Sequence, residues 1–282
     1  MVATMQKHSG VPDAVESLVR EGVQALRSGR VAEAQGLARN LLTEHPRNPD
    51  ALALFGMALL AQDRASEAIE PLRDAAHVRP GAIVEIYLGQ ALRKTGRIAE
   101  ALTVLRQASE RQPPVSEAFF ELGTLLYEKR RFAEAEAVLV RGMTIAPAGQ
   151  LSFVLGTIFL ERGDFEKASV AFARALSTHP GHPSALCGLG RAQMARGDLD
   201  RALQNFRQAM ANNPSEGRAR FLTAHCLFDL GRPDEAIECL RALVAWAPQS
   251  FGGAVRTCVE AGKGRFWLKP SAAANALGFK RS

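Results

Sequence analysis

The sequence predicts an all-α fold, a solenoid of seven antiparallel helix pairs, and three observations carry that expectation. Seven prolines, Pro46, Pro80, Pro113, Pro147, Pro180, Pro214 and Pro248, follow one another at intervals of 34, 33, 34, 33, 34 and 34 residues in a chain of 282. The alanines Ala34, Ala68, Ala101, Ala135, Ala168, Ala202 and Ala236 each precede their proline by twelve residues. The small residues Gly22, Gly56, Gly89, Gly123, Gly156, Gly190 and Ala224 precede those alanines by twelve more. Between prolines the apolar residues recur at helical spacing, as in Phe165, Ala168, Phe172, Ala175 and Leu176. A period of this size marks an array in which each unit buries its apolar face only against its neighbours.

The elements follow in order from those marks. Repeats begin near residues 15, 49, 82, 116, 149, 183 and 217 and fill 15–250, after a flexible N-terminus at 1–14 and before a tail at 251–282. Within each, the first helix carries the small residue, and the second is stopped by the proline, which lacks an N–H and disfavours helical geometry at the preceding residue. Gly163 is expected to end one helix and the Asp164 side chain to cap the next. Gly96, Gly197 and Gly231 repeat that break, whereas Asp63 and Arg130 hold the equivalent place and should make weaker turns. The small positions let paired helices approach closely, with Gly123 facing Ala135. Nine residues separate Pro80 from Gly89 and Pro147 from Gly156, against ten elsewhere, so one turn residue is missing and the superhelix should be irregular at both places. In the tail, Phe251, Ala254, Val255, Cys258 and Val259 share one helical face, expected to cover the open end of the seventh repeat. Gly262 and Gly264 break that helix, Phe266, Trp267 and Leu268 tuck against the last repeat, and Ser271 caps a short helix ending at Gly278.

The pattern resembles the tetratricopeptide repeat. Leu155-Gly156, Phe165, Ala168, Phe172, Ala175 and Pro180 reproduce its signature, and Leu189-Gly190, Leu199, Ala202, Phe206, Ala209 and Pro214 repeat it. The first and last units depart most, with Glu21-Gly22 and Thr223-Ala224 in place of Leu-Gly. The resemblance implies a right-handed superhelix whose concave face is lined by positions 2, 5, 9, 12 and 13 of each first helix. From the third repeat onward those places include Ile86, Gln90, Arg93, Lys94, Phe120, Thr124 and Tyr127, then Phe153, Thr157, Leu160, Cys187, Arg191, Met194, Phe221, His225 and Phe228. Such a groove is mostly apolar and aromatic, which suits an amphipathic helix or extended peptide from a protein partner. The first two repeats offer Val19, Val23, Ala53 and Met57 there, not the Lys, Asn and Arg with which some relatives clamp a terminal carboxylate. The groove asparagines of the glycosyltransferase relatives are also missing.

Composition bounds the function. The formal net charge is +6, and the tail supplies +5 of it through Arg256, Lys263, Arg265, Lys269, Lys280 and Arg281 against Glu260. A basic tail that docks on an acidic partner, a nucleic acid or an anionic membrane is therefore the alternative reading. So few spread charges with one Phe-Trp pair fall short of a dedicated polyanion binder, which disfavours nucleic acid and membrane as partners. The residues 1–14 carry no apolar run and no stretch reaches membrane-spanning length, so a cytoplasmic location is expected. Cys187, Cys226, Cys239 and Cys258 lack metal-type pairing and read as small reduced helix residues. His45, His77 and His179 fall in the last turns of second helices, and His179-Pro-Gly-His182 is a poor metal pair without thiolates or carboxylates beside it. No glycine-rich phosphate loop and no nucleophile–base–acid set can be read, and the tail is too short for a catalytic domain. The expectation is a non-enzymatic adaptor with no cofactor and no metal.

Overall fold

A computed structural model describes residues 10–146, 149–214, 217–260 and 270–278. Every regular element among them is helical. The chain divides into two compact units, the first ending at Ala146. The first holds α1 (Gly10–Arg27), α2 (Val31–Glu44), α3 (Pro49–Ala61), α4 (Ala65–Val78), α5 (Ala82–Lys94), α6 (Ile98–Glu110), α7 (Ser116–Glu128) and α8 (Phe132–Ile145). The second holds α9 (Gly149–Glu161), α10 (Phe165–Thr178), α11 (Pro183–Ala195), α12 (Leu199–Asn212), α13 (Gly217–Asp229), α14 (Pro233–Trp246), α15 (Phe251–Glu260) and α16 (Pro270–Ala276), with a 3₁₀ turn at Pro248–Ser250.

Inside each unit every helix packs on its successor, and the first helices also touch one another: α1 on α3, α3 on α5 and α5 on α7, then α9 on α11, α11 on α13 and α13 on α15. This is the solenoid arrangement of antiparallel pairs, with the odd-numbered helices forming the tighter row of each unit. The helix α15 also packs on α14, and α16 packs on α15. At the start of the first unit, Ser17, Arg20, Glu21 and Gln24 of α1 are exposed in the places where α3 puts Ala51, Leu54, Phe55 and Ala58. Polar residues there suit a face that no other helix covers among the described residues.

The turn inside each pair is a left-handed residue followed by a Schellman bond. Gly29, Gly96, Gly163, Gly197 and Gly231 have φ between 71° and 85°, and Asp63 and Arg130 reach 60° and 56° despite their side chains. The next N–H then donates to the carbonyl five residues back, as from Arg64 to Leu59 at 2.9 Å and from Asp164 to Phe159 at 2.8 Å. Asp164 does occupy the N-cap position of α10, but its carboxylate accepts no backbone N–H. Its ψ of 64° turns the side chain away from the first turn, unlike the extended backbone of a working cap, and the carboxylate stands 3.9 Å from Arg162. The even helices of the first unit start on a different device: Arg30, Arg64, Arg97 and Arg131 each pair with the glutamate three residues on, Glu33, Glu67, Glu100 and Glu134.

The small residues meet long side chains. A Cβ built on Gly123 would lie 2.5 Å from the Leu139 side chain, one turn beyond Ala135. Gly56 and Gly89 meet Leu72 and Leu105 in the same way, and Gly156 and Gly190 meet the rings of Phe172 and Phe206. The missing turn residue before Gly89 leaves a three-residue connection, 79–81, where 45–48 has four. The corresponding turn at Pro147 lies partly outside the described residues.

Candidate functional site

In the first unit the row α1, α3 and α5 encloses an open groove of about 620 Å³. Its lining is Val23, Leu26 and Arg27 from α1, Met57, Leu60 and Ala61 from α3, and Ile83, Tyr87, Gln90 and Lys94 from α5. Ile83 is 54% exposed although it is a large aliphatic side chain. The groove shares Met57 and Ile83 with a smaller cavity of about 250 Å³, which reaches Asp50 and Arg79. Those two residues in turn border a wider cavity of about 1170 Å³ beside Val19, Arg20, His45 and Arg47. The Arg79 guanidinium grips the Asp50 carboxylate with two bonds of 2.8 and 2.7 Å.

Of the residues singled out from the sequence, Gln90 and Lys94 line this groove. Ile86 does not: it is 3% exposed and packs in a core cluster with Ala108 and Ala118, which corrects its assignment to the open face. The neighbouring Ile83 and Tyr87 are there instead. The sequence held a signal for this, because Ile83, Val84, Ile86, Tyr87 and Leu88 crowd one helix with more apolar residues than a single buried face accommodates. Arg93 is turned to a neighbour in the stack. Its guanidinium lies 3.3 Å from Glu121 and 3.8 Å from Glu128 of α7, while Gln90 donates to the same buried Glu121 at 2.7 Å. The Lys94 ammonium sits 2.6 Å from Asp63, and that contact holds the Asp63 carboxyl below its ordinary range. On α7, Phe120, Thr124 and Tyr127 are half-buried, and the Thr124 hydroxyl is enclosed without a hydrogen-bond partner. Burial, together with the adjacent Glu121, pushes the Glu117 carboxyl up.

In the second unit the expected face belongs to α9, α11 and α13. Phe153 is half-buried between Phe172, met edge-on at 5.9 Å, and the His182 ring at 5.3 Å, so it ties α9 to α10 and α11. Thr157 spends its hydroxyl on the Phe153 carbonyl at 3.0 Å, and Leu160 packs on the same cluster. Arg191, Met194 and Phe221 are also half-buried, and His225 is exposed with Asp229 3.5 Å away. Phe221 lies against α15, close enough that a Cβ on Gly253 would come within 2.9 Å of its ring. Phe228, at 1% exposure, and Cys187 are core residues, a second correction to the open face.

His182 caps α11 by accepting the Ala185 N–H at 3.2 Å through Nδ1. Among the described residues no three metal-ligating side chains gather in one place, and no helix is long and apolar enough to cross a membrane. The Cys226 and Cys258 thiols are buried and pushed up to about 11, and burial also raises Cys239, so all three hold their protons at neutral pH. The tail residues Lys263, Arg265, Lys269, Lys280 and Arg281, with Phe266, Trp267 and Leu268, lie outside the described residues.

Two family models, each described as tetratricopeptide repeat, match the chain, one over residues 25–91 and 194–252 and the other over 88–149 and 153–209. No curated protein matches the sequence. Among solved structures, similar folds occur in the Cut9–Hcn1 hetero-tetramer of APC/C, at 17% identity and a TM-score of 0.64 over 86% of this chain, which spans 47% of that one. Pseudomonas aeruginosa pilF matches at 20% identity and a TM-score of 0.64, covering 73% of this chain and 96% of its own. YrrB, described as having an unusual peptide-binding site, matches at 18% identity and a TM-score of 0.52, covering 64% of this chain and 95% of its own.

Proposed function

The chain belongs to the tetratricopeptide repeat family, and from that premise we propose that it is a non-enzymatic adaptor that holds a peptide segment of another protein in the groove across α1, α3 and α5. Repeats of this family serve generally as protein–protein interaction scaffolds and are typically not catalytic. The observation that carries the finer reading is the exposed apolar lining of that groove. Ile83 is exposed there, and Leu26, Met57 and Tyr87 line the same groove half-buried beside it. Leaving such a surface to water is unfavourable by roughly 25 cal/mol per Å², which an apolar partner would recover. A likeness to YrrB, whose description includes a peptide-binding site, is consistent with this use of the fold. The expected face of the second unit, with Phe153, Thr157, Leu160, Arg191, Met194, Phe221 and His225, is the lesser candidate, because its rings are largely occupied by neighbouring helices.

The test compares proteins retained by the immobilised full chain, by a Met57→Glu/Ile83→Asp variant, and by a variant with Lys263, Arg265, Lys269, Lys280 and Arg281 changed to Ala. Groove binding predicts that the first variant loses its partners, that the tail variant keeps them, and that retention persists at high ionic strength. Retention that survives the groove changes but is lost with the tail charges, and that collapses in salt, would instead establish the basic tail as the docking element.

A further inference from the structure

Charge along one edge of the α1–α3–α5 groove deepens the reading above, on which it rests. The lining residues at the C-terminal ends of the three first helices are Arg27, Ala61 and Lys94, which hold equivalent places in successive repeats. Beside them Val23, Leu26, Met57, Leu60, Ile83 and Tyr87 make the floor apolar. None of the groove's lining side chains, among the described residues, is a carboxylate, whereas Glu16, Glu44 and Asp50 stand in the wider cavity with its arginines. Arg27 is exposed in the last turn of α1 and pairs with no carboxylate among the described residues. Lys94 spends one of its three donors on Asp63, which leaves two. The groove is therefore apolar along its length, and one edge offers the Arg27 guanidinium and the two remaining donors of Lys94, whose charge Asp63 balances.

An occupant that fits has the same pattern with the charge reversed. We infer that the groove takes an acidic–apolar segment of a partner protein, with apolar side chains seated against Met57, Ile83 and Tyr87 and Asp or Glu side chains along the edge made by Arg27 and Lys94. A chain-terminal carboxylate fits poorly, because it needs several donors converging on one point. Here the two cations belong to helices separated by α3, with Ala61 between them. Both also sit at helix C-termini, where they offset the partial negative charge of the dipole. That role alone would make their removal lower stability and leave ligand preference unmoved, so preference is the discriminating readout.

The experiment selects a random peptide library, displayed with its C-termini fused and so without free carboxylates, on the immobilised full chain. The selection is repeated on Arg27→Ala/Lys94→Ala, on Arg27→Glu, and on Met57→Glu/Ile83→Asp, each checked for native helicity by circular dichroism. The expected result is enrichment of Asp or Glu next to two or more apolar residues. Affinity for the selected peptides should fall about tenfold in the double-alanine variant, and the acidic preference should weaken or turn basic in Arg27→Glu. Peptides that bind through the groove, lost in Met57→Glu/Ile83→Asp, but show no acidic bias and no response to the charge changes would overturn this inference and leave the groove reading standing. Peptides that bind equally well to Met57→Glu/Ile83→Asp, or no enrichment over bare support, would overturn both.

Discussion

At the scale of single residues, the six glycines among the seven small positions act by what they leave out. Alanine is the better helix former than glycine by about 1 kcal/mol in a helix interior, yet a Cβ on Gly156 would lie 2.8 to 3.0 Å from three atoms of the Phe172 ring. A ring cannot fold out of the way as the end of a leucine can, so overpacking outweighs propensity. Gly156→Ala is expected to destabilise by about 1–3 kcal/mol, read as a lowered urea midpoint; a raised midpoint would show that the helices separate at no cost. The buried thiols set a pH dependence of the same local kind. The Cys226 and Cys258 pKa values rise from 9.0 to about 11 in the folded chain. Above pH 9 the unfolded chain loses protons that the native one keeps, so their stabilisation is complete below 9 and is lost as pH climbs toward 11. Wild-type stability should thus drop between about pH 8 and about pH 10.5 more steeply than that of Cys226→Ala/Cys258→Ala, by on the order of 2 kcal/mol per thiol. Equal slopes in paired denaturation series would refute the assignment.

At the scale of elements, helices and their ends were legible because both are local. The proline period, the left-handed glycines and the 3.6-residue apolar spacing act within a few residues, and the turn at Arg130 could be anticipated even without a glycine there. Contacts between elements were not legible. Glu85, 3% exposed, receives two guanidinium nitrogens of Arg111 from 26 residues away, the nearest pair at 2.6 Å. Nothing in the periodicity marks that pair, since a charged residue on an apolar face reads as an exception until its partner is in place. Arg111→Gln leaves the buried carboxylate without its partner and should lower the unfolding midpoint, by less than for a fully enclosed pair because the Arg111 side chain is 41% exposed. A Glu85→Gln/Arg111→Gln double variant should recover part of that loss in thermal or urea unfolding. If the double variant is no more stable than Arg111→Gln, the coupling argued for this pair is absent.

At the scale of the whole molecule, each unit is a row of nearest-neighbour contacts, so stability is expected to vary along it. Among the described residues, α1 of the first unit packs on α2 and α3, and α16 of the second packs on α15, whereas α3–α6 and α11–α13 are held from both sides. Hydrogen exchange should therefore be fastest in α1 and α16 and slowest in those interior helices; protection that is uniform along both units would mean that each opens only as a whole. The sequence by itself determined the class of fold, the number of repeats and where helices turn, because a copied period and backbone sterics need no distant partner. Which face each helix leaves open was decided only by the tertiary structure. Ile83 and Tyr87 line the groove and Ile86 does not, Phe228 is enclosed, and Arg93 is turned to Glu121, because the way successive pairs pack decides which face of each helix they enclose.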